Sequence, residues 1–179
     1  MGLLKLDNLI NEIKKLSKHD FPDKDVYDLL ENSRLSQKDI QDYILFKPDK
    51  YTRHLIYKDD SFELLIMCWR PGQKAPVHGH EGEKCFMRVE EGSLQFTNYI
   101  LESKKPLRLT ISDSVKGDPG FLDGPADLHS VENIFQNNAV TFHLYAKPYG
   151  ECDMFDIESG SIYRKKLIYD TMYKKPCKI

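Results

Sequence analysis

The chain has 179 residues, 40% of them hydrophobic and 30% charged, a length that favours one domain with a real core. Lys plus Arg number 26 and Asp plus Glu 28, and a formal net charge of -2 with both signs interspersed argues against a nucleic-acid-binding protein. The longest apolar run, residues 64–69, is far too short to span a bilayer, and residues 1–16 do not read as a secretory signal.

The first 47 residues read as helical. Leu3, Leu6, Leu9, Ile10, Ile13 and Leu16 form one stripe at helical spacing. A second helix is expected over 25–31. A third starts at Ser36, a capping hydroxyl with Asp39 three residues on, and carries Ile40, Tyr43, Ile44 and Phe46 until Pro48 stops it. From Lys50 the texture changes to short runs rich in β-branched and aromatic residues. They cover 51–57, 62–69, 85–90, 93–100, 107–112, 120–122, 130–135, 139–146 and 162–166, with turn signals such as Pro71-Gly72 and Asn137-Asn138 between them. Many short strands at this spacing mean an antiparallel sandwich or small barrel. Residues 171–179, with Lys174-Lys175-Pro176, read as a loosely held tail.

Cys68, Cys85, Cys152 and Cys177 include no closely spaced pair, which excludes CxxC redox and zinc-ribbon motifs and leaves reduced thiols in a cytosolic protein.

Residues 72–92 are the most informative. His78 and His80 are two apart, so on a strand they share a face about 7 Å apart along the chain. A His-x-His alone fits an ordinary polar strand face as well as a metal site. The wider pattern adds more. Gly72, His78, His80, position 85 and Gly92 have the spacing of the first cupin motif, and His129 with Asn133 resembles the second. Gly124-Pro125 departs from the usual proline-x-glycine order there. Most cupins place a ligand glutamate at position 85, where this chain has Cys85. Three neutral imidazoles would then remain, and a divalent ion on them keeps about +2 formal charge instead of about +1. A more positive ion holds an anionic thiolate better. Imidazoles suit iron, zinc, copper and nickel alike.

With these residues in view, the sequence resembles the cysteine dioxygenases over about 49–160. The resemblance implies a mainly β fold, a cupin jelly-roll β-barrel with N-terminal α-helices. One domain would cover 1–179: helices over 1–47, barrel over 48–170, tail over 171–179. It implies a mononuclear non-haem Fe(II) on His78, His80 and His129. O₂ and L-cysteine would be the substrates, cysteine sulfinic acid the product, and both oxygen atoms would enter it. No nucleic-acid or membrane partner is expected, and the chain would act as a cytoplasmic monomer.

Further roles follow from the same resemblance. Arg53, which alone reads as a solvated strand arginine, would pair with the substrate carboxylate, with Tyr51 on the same face. Relatives acting on 3-mercaptopropionate carry glutamine there, so arginine favours cysteine. Thr141, His143 and Tyr145 alternate on one strand face, where the family has a serine–histidine–tyrosine row beside the metal. Tyr145 would be a hydrogen-bond donor or proton carrier, and His143 would orient it without binding metal. Cys85 and Tyr145 match positions joined by a thioether in animal-type members; an ordinary buried free cysteine is the plain reading. Cys152 matches a cysteine near the pocket entrance, or is a plain loop cysteine. Cys68 reads as core and Cys177 as tail. His19 and His54 read as surface histidines, and Trp69, Met67 and Phe86 as packing. Residues 81–84 read as a solvated loop. The alternatives are a dioxygenase of another small thiol, 3-mercaptopropionate or cysteamine, a non-catalytic metal-binding cupin, or a metal-dependent isomerase, which would ordinarily keep glutamate at position 85.

Overall fold

The computed structural model describes residues 2–3, 5–124 and 128–177. The apolar stripe makes α1 (Leu6–Ser17), which turns Leu9 and Ile13 fully inward. α2 (Asp23–Asn32) does the same with Val26 and Leu30. Leu3 lies outside the helix, in a short strand β1 (Gly2–Leu3) that pairs in parallel with β2 (Ser33–Arg34). Ser36 caps α3 (Gln37–Ile40) as expected, accepting from the Asp39 N–H at 3.2 Å. A single 3₁₀ turn, Gln41–Tyr43, follows, and the helix ends well before Pro48. Beyond it the chain is extended, and the Leu45 carbonyl is taken by Thr52 Oγ1 at 2.6 Å and His54 Nε2 at 3.2 Å.

The remaining strands are β3 (Thr52–Lys58), β4 (Glu63–Trp69), β5 (Lys74–Gly79), β6 (Lys84–Glu91), β7 (Leu94–Lys104), β8 (Leu107–Gly117) and β9 (Leu122–Asp123). They continue with β10 (Leu128–Glu132), β11 (Ala139–Ala146), β12 (Glu151–Asp156), β13 (Ser161–Lys166), β14 (Thr171–Met172) and β15 (Lys175–Pro176). One sheet has the order β15-β14-β3-β4-β11-β6-β9 and the other β13-β12-β5-β10-β7-β8. The fold is mainly β with N-terminal helices, as expected. It is a jelly-roll sandwich of two sheets and not a closed barrel, since each sheet keeps its own edge strands.

Two apolar layers hold it. Between the sheets, Leu65, Met67, Trp69, Met87 and Val89 meet Ala75, Phe96, Val131 and Met154. Outside the larger sheet, Leu64, Ile66, Phe86, Phe142 and Leu144 pack under α1 and α2. β4 and β11 are therefore buried on both faces, which is why residues 64–69 read as one apolar run instead of an alternation. Gly92 closes the β6–β7 turn at φ +71, where a Cβ would stand 2.2 Å from the Asn138 carbonyl oxygen. Of Gly124-Pro125, the proline lies outside the described residues. Gly124 has φ +126 and presses so close to the Cys85 carbonyl oxygen that a Cβ would sit 2.2 Å from it.

Several expectations change. β5 and β12 are strands that the residue pattern did not indicate. Cys152 therefore lies on a strand, fully buried, and not in a loop. Lys84 opens β6 and donates to the Phe21 carbonyl at 2.9 Å, so the solvated loop ends before it. The supposed tail is partly paired: Thr171 lies beside His54 in a parallel β14–β3 ladder. Just ahead of it, the buried Asp170 carboxylate accepts the Arg53 N–H at 3.0 Å and pairs with Lys47 at 2.7 Å and Lys50 at 3.1 Å. His54 is fully buried and not at the surface, bonded to Thr171 Oγ1 and Thr52 Oγ1, both at 2.9 Å. Burial holds its imidazole below the ordinary range.

Candidate metal centre

β5 and β10 pair antiparallel with His78 opposite His129, and His80 follows one residue after β5 ends. That register gathers three imidazoles whose ligand atoms all lie within 4.8 Å of one another. Among the described residues it is the one group of three metal-type side chains so placed. All three rings are largely shielded. His78 Nδ1 is 2.8 Å from the Pro76 carbonyl oxygen. A carbonyl can only accept, so Nδ1 carries the proton and Nε2 keeps its lone pair. Burial, with the neighbouring His129 and His80, holds His78 well below the ordinary imidazole range. It is therefore neutral, the form that binds metal. His129 Nδ1 lies 3.4 Å from Asp123 Oδ2, near enough for an ion pair but not aligned as a hydrogen bond.

β11 supplies the next row. Tyr145 OH is 3.3 Å from His143 Nδ1, and His143 Nε2 is 2.8 Å from Thr141 Oγ1. Trp69, expected only to pack, also donates its indole N–H to Thr141 Oγ1 at 2.9 Å. This chain of side chains locks the Tyr145 ring. Burial and then the Arg53 charge hold His143 well below its ordinary range, so it is neutral. Burial and then Cys85 push the Tyr145 phenol well above its usual value, so it stays protonated and can donate. Cys85 faces Tyr145 directly in the β6–β11 register, and both are buried. Directly opposed strand residues have Cβ atoms about 5 Å apart. Burial pushes the Cys85 thiol up as well.

Arg53 closes the site from β3. It is 7% exposed, and its Nε and Nη2 are buried without a hydrogen-bond partner. Its guanidinium carbon lies 5.8 Å from the Tyr145 ring centre, and the Tyr145 ring is 6.1 Å from that of His80. A buried cation with open donors is costly, and an anion would satisfy it. Tyr51, two residues before Arg53, is stacked on Trp69 at 4.5 Å. The structure thus brings His78, His80, His129, Tyr145, His143, Cys85 and Arg53 together.

Three neighbours were not anticipated. Tyr149 is buried with its ring 5.1 Å from that of Tyr145 and 6.1 Å from that of His80. In sequence it sits among turn residues, Pro148 and Gly150, which hide it. Asp123 reads as part of a turn before Gly124, and Glu63 as the polar edge of an apolar run.

The family model described as cysteine dioxygenase type I matches residues 4–158. The chain belongs to that family. Its similarity to the curated cysteine dioxygenase type 1 of Danio rerio is 25% identity over 177 residues, 94% of this chain and 87% of that protein. With the Homo sapiens cysteine dioxygenase type 1 it shares 32% over 123 residues, 66% of this chain and 62% of the relative's length. The crystal structure of TT1209 from Thermus thermophilus superimposes with a TM-score of 0.51 at 18% identity, over 62% of this chain and 96% of that one. That likeness shows the fold alone.

Proposed function

We propose that this family member is a cysteine dioxygenase that converts L-cysteine and O₂ to cysteine sulfinic acid with Fe(II) held by His78, His80 and His129. One observation carries the reading: the three-imidazole cluster shares a buried site with Arg53, whose unpartnered donors suit a carboxylate. A non-catalytic metal-binding cupin needs neither Arg53 nor Tyr145. The donor set fits a divalent metal, since the three ligand atoms are clustered and His78 is held neutral with Nε2 available. When bound, iron supplies the redox chemistry that joins oxygen to sulfur.

The chain's own residues do the rest. Arg53 binds the carboxylate of the substrate with its open Nε and Nη2 and so sets where the sulfur lies. Tyr145 donates its phenolic proton as a hydrogen bond to the reacting groups, held by His143 and, through it, Thr141. Tyr149, packed against the Tyr145 and His80 rings, helps to wall off water. We assign the enzyme to the reducing cytoplasm as a monomer with one domain over 1–179. Among the described residues no helix is long and apolar enough to cross a membrane.

The test is anaerobic reconstitution of stripped protein with Fe(II), followed by O₂ uptake and sulfinate detection with L-cysteine. Sulfinate is expected in proportion to oxygen consumed, with smaller rates for 3-mercaptopropionate and cysteamine. Metal binding without sulfinate overturns the reading.

We also propose a thioether between Cys85 Sγ and the Tyr145 ring in part of the molecules. One S–H and one ring C–H are lost, one C–S bond forms, and O₂ takes up the two hydrogens. After turnover, the intact mass is expected to show a species lighter by two hydrogens, absent from Cys85→Ser. A single unshifted mass after many turnovers eliminates the cross-link.

A further inference from the structure

The carboxylate anchor has a charged neighbourhood of its own. Glu63 opens β4 opposite Lys58, the last residue of β3. Its carboxylate is fully buried, with Oε1 4.0 Å from Arg53 Nη2 and without a hydrogen-bond partner. Oε2 faces the other way: it accepts the Tyr169 hydroxyl and lies 3.2 Å from Lys58 Nζ. Lys58 Nζ also donates to the Tyr169 hydroxyl at 3.1 Å. The Tyr169 ring in turn lies 5.9 Å from the Arg53 guanidinium carbon. One buried carboxylate thus stands between two cations and is bonded toward Lys58, while the facing donors of Arg53 stay open.

The charge count is simple. Arg53 and Lys58 bring two positive charges and Glu63 one negative, which leaves a single positive charge. Without Lys58, Glu63 would offset Arg53 locally, and an incoming carboxylate would be held less strongly. Without Glu63, two cations would face the pocket. Buried charge is tolerated when it is paired, and this cluster becomes fully paired by one monoanion. From this we infer that Lys58 and Glu63 are specificity-determining residues that set the Arg53 site at one positive charge and so select small thiols carrying one carboxylate. Tyr169 is a positioning residue that keeps Glu63 turned to Lys58 and away from Arg53.

The inference rests on the reading of Arg53 as carboxylate anchor, and its test separates the two. Binding of L-cysteine and of cysteamine, which lacks the carboxylate, is measured anaerobically by calorimetry on Fe(II)-loaded protein, with KM and kcat determined alongside. Lys58→Met is expected to raise Kd and KM for L-cysteine about three- to fivefold, the scale of one partly exposed charge. Glu63→Gln keeps the shape and the acceptor for Tyr169, and is expected to shift them the opposite way by a similar factor. The double variant returns near the starting value. Cysteamine binding and kcat stay within about twofold throughout, below the shift expected of one charge.

Damage to the fold would weaken L-cysteine binding in both single variants, so the opposed signs are the signature. Shifts of one sign in both variants, or equal shifts for cysteamine, overturn the inference. If Glu63→Gln melts too early to be measured, the Lys58→Met comparison of the two thiols decides alone, because Lys58 lies at the partly exposed end of β3. Arg53→Ala is the control. Loss of the preference for L-cysteine there, with no effect at Lys58 or Glu63, leaves the anchor standing and removes only this inference. A retained preference removes both.

Discussion

Replacing His129 with alanine is expected to leave a folded protein that has lost both its metal and its oxidation of L-cysteine. His129 faces His78 across the β10–β5 ladder, so its removal takes away one of three clustered donors and leaves two. Two imidazoles cannot hold a divalent ion against water as three do. Loss of a residue that merely orients a ligand costs about 10- to 100-fold in metal affinity or activity. Loss of the ligand itself must exceed that range. Metal content by elemental analysis and O₂ uptake check the expectation, and a thermal melt checks the fold. The core should survive, because the largest fully buried side chains, among them Trp69, Phe86, Phe96 and Phe142, lie on elements other than β10. Full metal content and normal turnover in this variant would take His129 out of the ligand set.

Replacing Arg53 with alanine is expected to act on the substrate and not on the metal. Truncating one partner of a buried charged pair costs about 2–5 kcal/mol. The KM for L-cysteine should therefore rise on the order of 100-fold, at about 1.4 kcal/mol for each factor of ten. The kcat should fall as well, since the sulfur is then no longer oriented by a fixed carboxylate. Cysteamine has no carboxylate to lose and should change only a few-fold. Metal content should be unaltered, because Arg53 is not one of the three clustered ligand donors. Equal losses for the two thiols would mean that Arg53 holds the fold and not the substrate.

The chemistry-bearing residues were legible to very different degrees. His78, His80 and His129 followed from the resemblance of their surroundings to the two cupin motifs, since a His-x-His by itself fits a polar strand face as well. Arg53, His143, Tyr145 and Cys85 followed only from resemblance, since an arginine or a cysteine in a strand says nothing by itself about what lies opposite. β5 was hidden by Pro76 and Gly79, which read as loop residues although the strand keeps its inward Ala75 and Val77. β12 was hidden by its acidic ends. His54 looks exposed in sequence because the residue that covers it, Thr171, arrives 117 positions later. Glu63 was missed for a related reason. A glutamate ahead of an apolar run looks like the solvent edge of a strand, and only Tyr169 and Lys58 make its burial tolerable. Local pattern reports which face a residue shares with its neighbours, whereas what packs on that face is decided by distant chain.

The bond between the Arg53 N–H and Asp170 joins residues 117 positions apart. It carries a consequence for the order of assembly. Chains emerge from the ribosome N-terminal end first, and distant contacts wait for the last partner. All three histidines of the cluster are in the chain once residue 129 has been made, but β4 and β6 are joined into one sheet only by β11, and the bond from the Arg53 N–H waits for residue 170. Fastening Arg53 to Asp170 is therefore among the last contacts that synthesis permits, and the final residues of the fold are the ones that steady the first strand of the sandwich.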